Sequence, residues 1–172
     1  MRPTGAMAIL VLAAVPALGA ELPSRKAGLW EVKLSFENRN GASPAIQQCI
    51  DASTDQIMQS SAGPLAEAAC SRRDIQKSAN GFTIDSTCTF SGKTRTVHSV
   101  ITGSFDSAYT MTATSEGDGL PGGPMTVAAK WVGPCAADQK PGDMIMGNGM
   151  KMNINDMSKM GAPGGMNLRR SR

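Results

Sequence analysis

The chain has 172 residues, enough for one domain with a modest core, and a formal net charge of +3. Three of its positive charges sit in the last four residues, Arg169-Arg170-Ser171-Arg172, and a fourth is Arg2; without them basic and acidic residues nearly balance. The basic balance therefore belongs to the ends and not to a face, which argues against a nucleic-acid partner. Aromatic residues make up only 4% of the chain, so its core needs help from its four cysteines.

Residues 1–20 read as a secretory signal peptide. Arg2 supplies the positive end, Ala6 to Ala14 is an apolar run too short to span a bilayer, Pro16 breaks it, and Ala17, Gly19 and Ala20 are small residues at a cleavage site. The mature protein is expected in the periplasm or outside the cell, with no transmembrane segment. In such an oxidising compartment an even number of cysteines implies disulfides. Three connectivities are possible. Cys70–Cys88 is favoured because it brackets a hairpin at nearly matching heights, and it leaves Cys49–Cys135. A zinc site is disfavoured by the lack of a C-x-x-C pair and by the single histidine.

The domain is expected over residues 21–135. Trp30, Val32, Leu34 and Phe36 alternate with Glu31, Lys33, Ser35 and Glu37, the period of a half-buried strand. Ala45 to Ile50 is a second strand. Ser53-Thr54-Asp55-Gln56 has the form of a capping box, so a short helix is expected from about Thr54 to Ser60, with one more turn over Leu65–Ala69. From Cys70 to Phe90 the chain reads as a hairpin with Asn80-Gly81 at the turn, followed by Phe82, Ile84, Ser86, Cys88 and Phe90 on one face. Lys93 to Phe105, Tyr109 to Ser115 and Met125 to Trp131 complete six or seven antiparallel strands. The expected fold is mainly β: an antiparallel meander forming a small barrel or half-barrel with one short helix, disulfide-bonded.

Taken in order, Ala27-Gly28-Leu29-Trp30-Glu31-Val32, Gln47-Gln48-Cys49 before a capped helix, Cys70 with a basic stretch, Asn80-Gly81 leading to Cys88, the Thr/Met-rich stretch Tyr109 to Thr114, and Gly133-Pro134-Cys135 form a pattern. It resembles the secreted bacterial family known as domain of unknown function 3617, over roughly residues 26–135. Lys130-Trp131-Val132 stands where that family usually has an Arg-rich stretch before its last cysteine. The resemblance implies an exported, disulfide-bonded, mostly β domain, and no activity.

Motifs for chemistry are sparse. Gly117-Asp118-Gly119-Leu120-Pro121-Gly122 matches G-x-G-x-x-G, but a strand follows where a dinucleotide site needs a helix, so it reads as a loop. Gly92-Lys93-Thr94 ends like a phosphate loop, but its first glycine would fall at Thr87, inside a strand. His98 lies among outward-facing threonines, with nothing in the sequence placing Ser99 or Asp85 beside it as in a hydrolase. Trp30 and Trp131 lie on inward faces, packing in the core or lining a cup. No catalytic residue, cofactor or enzymatic role is expected. The leading expectation is an exported, non-catalytic, periplasmic or envelope-associated binding module. Its partner would be a small apolar ligand or an envelope protein.

Beyond Cys135 the composition shifts. Seven of the twelve methionines fall in residues 136–172, expected to be a partly disordered Met-rich tail with a short helix or turn near Asn155 to Met160. Met144, Met146, Met150 and Met152 form two M-x-M pairs whose thioethers would share one face of an extended segment. They are candidate ligands for a soft cation such as Cu(I), or an oxidation buffer, the alternative reading of the chain.

Overall fold

The computed structural model describes residues 20–37, 43–59, 70–90, 92–117 and 123–156. The expected signal peptide, apart from Ala20, lies outside these residues, as do Leu65–Ala69 and the basic terminus.

The described residues hold nine strands, the longer of them mostly built on alternating apolar and polar residues, and a capped helix interrupts them. β1 (Gly28–Phe36) and β2 (Ile46–Ile50) come first, followed by α1 (Ala52–Gln59). Then come β3 (Cys70–Ser78), β4 (Gly81–Phe90), β5 (Lys93–Ser104), β6 (Ala108–Gly117), β7 (Met125–Gly133), β8 (Asp143–Ile145) and β9 (Lys151–Asn153). All pairings are antiparallel, and the strands form one sheet in the order β3-β4-β5-β6-β7-β1-β2-β8-β9. Among the described residues the sheet does not close: β3 and β9 are its two ends. Of the two expected arrangements, the half-barrel fits and the closed barrel does not.

β1 carries the core. It lies between β7 and β2, and its alternation buries Trp30 (0% exposed) and Val32 against Ile50 and Ala129. Leu34, Met58, Tyr109, Val127 and Trp131 pack around them. The two tryptophans stand on neighbouring strands. Trp30 is core, whereas Trp131 is half-buried, donates from Nε1 to Ala27 O at 3.1 Å and lies under the Lys26 ammonium, 3.7 Å from its ring centroid.

The disulfides are Cys49–Cys135 and Cys70–Cys88. The first joins β2 to the chain leaving β7, the two strands that flank β1. The second joins facing residues of the β3–β4 ladder.

Three local details differ from the sequence reading. The hairpin turn is Ala79-Asn80, with Ser78 opposite Gly81, so Gly81 opens β4 instead of sitting in the turn. A Cβ on Gly81 would run into Ile101 O, and the closeness of β5 explains the glycine there. The helix starts earlier than expected, with Asp51 as its cap. The Asp51 carboxylate accepts the Thr54 N–H at 2.9 Å, and the Thr54 hydroxyl accepts the Asp51 N–H at 3.0 Å, a reciprocal box two residues ahead of the one centred on Ser53. Accordingly the Asp51 carboxyl titrates below its usual range, chiefly because of the Thr54 backbone N–H. Finally, the sheet runs on past Cys135. β8 pairs with β2 and β9 with β8, and a short helical turn follows at 154–156.

Candidate functional site

Curvature turns one face of the sheet into a cavity of about 580 Å³. Its wall alternates in the expected way: Val32 on β1, Ile84 on β4, Ile101 on β5, Tyr109 and Met111 on β6, and Val127 on β7. Leu22 and Met58 also line it, from the segment before β1 and from α1. The volume is in the range of small-molecule sites and the lining is mainly aliphatic.

An aromatic row runs along this face. Phe105 stacks on Tyr109 with centroids 5.0 Å apart, Phe82 meets Phe105 edge-on at 5.9 Å, and Trp30 lies 5.8 Å from Tyr109. Burial pushes the Tyr109 hydroxyl above its usual pKa, against the opposing pull of the neighbouring Arg25.

What holds α1 and the segment before β1 over the sheet is a buried ion pair. Arg25 donates from its backbone N–H to Asp55 Oδ2 at 2.6 Å and from Nε to Oδ1 at 2.7 Å. Its Nη1 reaches Gln48 Oε1 on β2 at 2.9 Å, and its guanidinium lies 5.6 Å from the Trp30 ring centroid. Gln59 donates to Asp55 Oδ2 at 2.6 Å and to Pro23 O at 3.1 Å. The segment is also tied at both ends: Ala20 N–H to Ile75 O on β3, and Lys26 N–H to Phe105 O after β5. It thus runs from one edge of the sheet to the β5–β6 connection. Arg25, Gln48 and Gln59 engage one another around Asp55, and Arg73 Nη2 donates to Gln59 O at 3.2 Å. Arg25, Gln48, Gln59 and Arg73 are thereby engaged within the protein, and most of the wall that the cavity presents is apolar.

His98 stands elsewhere, on the other face of β5. Its Nδ1 is 2.7 Å from Asp85 Oδ1, and both side chains are about half exposed. Asp85 faces His98 in the β4–β5 ladder. Ser99 follows His98, so its side chain projects to the opposite face, where it is buried. The sequence reading missed the His98–Asp85 pair. Counting outward from the facing residues Phe90 and Lys93 finds it, since each step inward on one strand matches one on the other. Among the described residues no group of three or more His, Cys, Asp or Glu could hold a metal ion. Gly117 ends β6 and Met125 opens β7, so the G-x-G-x-x-G run connects two strands; residues 118–122 lie outside the described ones.

The four candidate methionines all fall on the β8–β9 hairpin. Met144 faces Met152 in the ladder, and Met146 N–H donates to Met150 O at 2.8 Å. The opposite face carries Asp143, which is 3% exposed, accepts from Asn153 Nδ2 at 2.8 Å and pairs with Lys151 Nζ at 3.1 Å.

These features define a disulfide-linked, open antiparallel β half-barrel with an apolar cavity under a helix. Residues 25–135 match a family model described as a protein of unknown function, DUF3617, and the chain belongs to that family. Comparison with curated proteins and with solved structures yields no match. The β8–β9 hairpin lies beyond the matched residues.

Proposed function

We propose that the protein is an exported, non-catalytic binding module that holds a small apolar ligand against the concave face of its half-barrel, in the periplasm or at the envelope. The observation that carries this is the cavity of about 580 Å³ walled by Val32, Ile84, Ile101, Met111 and Val127. A fully packed interior would have left no such space. Two disulfides fit an oxidising compartment, and among the described residues no helix is long and apolar enough to cross a membrane.

Native mass spectrometry on the protein isolated from its own host tests this. A lipid-sized adduct is expected on the wild type, with the denatured mass of the same sample reporting whether the leader is removed. Ile101→Trp, which fills the cavity, should lose the adduct. A bare chain that also fails to take up a fluorescent fatty-acid probe would overturn the proposal. The methionine hairpin supports a second reading, a soft-metal site or an oxidation buffer. Met150, 52% exposed, is a thioether that an oxidant can reach.

A further inference from the structure

The register of the β8–β9 hairpin turns two sequence motifs into one cluster. Met144 and Met146 are two residues apart and share a face, as do Met150 and Met152. The ladder then sets Met144 opposite Met152. The Met146–Met150 hydrogen bond, with Gly149 N–H donating to Met146 O at 2.8 Å, closes a tight turn and sets Met146 opposite Met150. Gly149 takes φ +83°, the left-handed conformation such a turn requires. Facing Cβ atoms in such a ladder are roughly 4.5–5.5 Å apart, and unbranched methionine side chains can bring their sulfurs together from that spacing. The polar partners Asp143, Lys151 and Asn153 hold the other face, so the register that gathers the methionines is well determined.

We propose that this face binds one Cu(I) ion through the thioethers of Met144, Met146, Met150 and Met152. Thioethers are soft donors that select Cu(I) over Zn²⁺, which prefers thiolate, imidazole and carboxylate. The cysteines do not compete, because all four are in disulfides. The single histidine is on β5, separated from β8 by β6, β7, β1 and β2. A packing role for the same side chains makes a different prediction, since leucine would serve it equally well. The inference does not depend on the cavity holding a ligand.

The test uses the full chain with ¹³C-methyl methionine and Ag(I) as a redox-inert probe, then Cu(I) without oxygen. The methyl signals of Met144, Met146, Met150 and Met152 should shift together and saturate at one equivalent. Zn²⁺ should move none of them. Changing all four to leucine should abolish saturable uptake. The pairs Met144→Leu with Met152→Leu, and Met146→Leu with Met150→Leu, should each reduce it. Unchanged Cu(I) uptake by the fourfold variant would overturn the proposal. So would wild-type shifts spread over the other methionines, a readout that stands even if the fourfold variant does not fold.

Discussion

Asp55 accepts three hydrogen bonds on one fully buried carboxylate, two from Arg25 and one from Gln59. Removing one partner of such a pair leaves a charge with neither water nor counter-ion, at a cost of about 3–5 kcal/mol. Asp55→Leu should therefore lower the urea midpoint strongly. The double change Arg25→Met with Asp55→Leu should lower it much less, because no buried charge is then left unpaired. Asp143 is the second residue whose environment has a measurable consequence. Burial opposes its ionisation, but the Asn153 amide, the Lys140 N–H and Lys151 outweigh that, and its pKa falls from 3.8 to about 2. A lowered folded value means that the ionised form stabilises the fold at every pH above 3.8, and that this contribution is lost as the pH falls through about 2. Urea unfolding of wild type and Asp143→Asn should accordingly diverge above about pH 4 and converge near pH 2.

At the level of elements, the β3–β4 hairpin shows how a neighbouring strand decides a local residue. Asn80-Gly81 is a strong turn signal, yet the turn is one residue earlier and Gly81 lies against Ile101 O on β5. Gly81→Ala places a methyl group where a carbonyl already sits, at positive φ, and should cost more than about 1 kcal/mol. Amide hydrogen exchange should show the loss concentrated in β3, β4 and the facing residues of β5. The helix follows the same logic. Asp51, Ser53 and Thr54 all have the chemistry to cap, and Asp51 takes the position while Asp55 is turned inward onto Arg25.

For the whole molecule, the two disulfides close loops of very different length, 86 residues for Cys49–Cys135 and 18 for Cys70–Cys88. In the chain-entropy account, removing the longer closure costs roughly 4.5 kcal/mol and the shorter roughly 3 kcal/mol. Replacing each pair by alanine should therefore destabilise the protein more at Cys49 and Cys135, as read from denaturant midpoints. Wherever strands are long enough to show alternation, the architecture was legible from sequence. Trp30-Glu31-Val32-Lys33-Leu34 announces β1, and Phe82 to Cys88 announces β4 with its cysteine facing Cys70. β8 and β9 were not legible. Each has three residues, methionine is their main apolar content, and their strand character depends on pairing, β8 with β2 and β9 with β8.

The candidate sites divide along the same line. The M-x-M spacing states in sequence that Met144 and Met146 share a face, because backbone alternation is local. That Met152 lies opposite Met144 depends on where the turn falls, and so on the hairpin as folded. Arg25 and Asp55 are 30 residues apart with no periodicity linking them. Their meeting, and the cavity roofed by the elements they join, exists only once β1 and β2 have paired and α1 has packed back over the sheet. Sequence alone determined the alternating strands and the existence of the β3–β4 hairpin, since those follow from near-neighbour chemistry, and it favoured one cysteine pairing among three. Tertiary structure decided the open edge, the cavity and the gathering of the methionines, since each needs residues that distant pairings bring together.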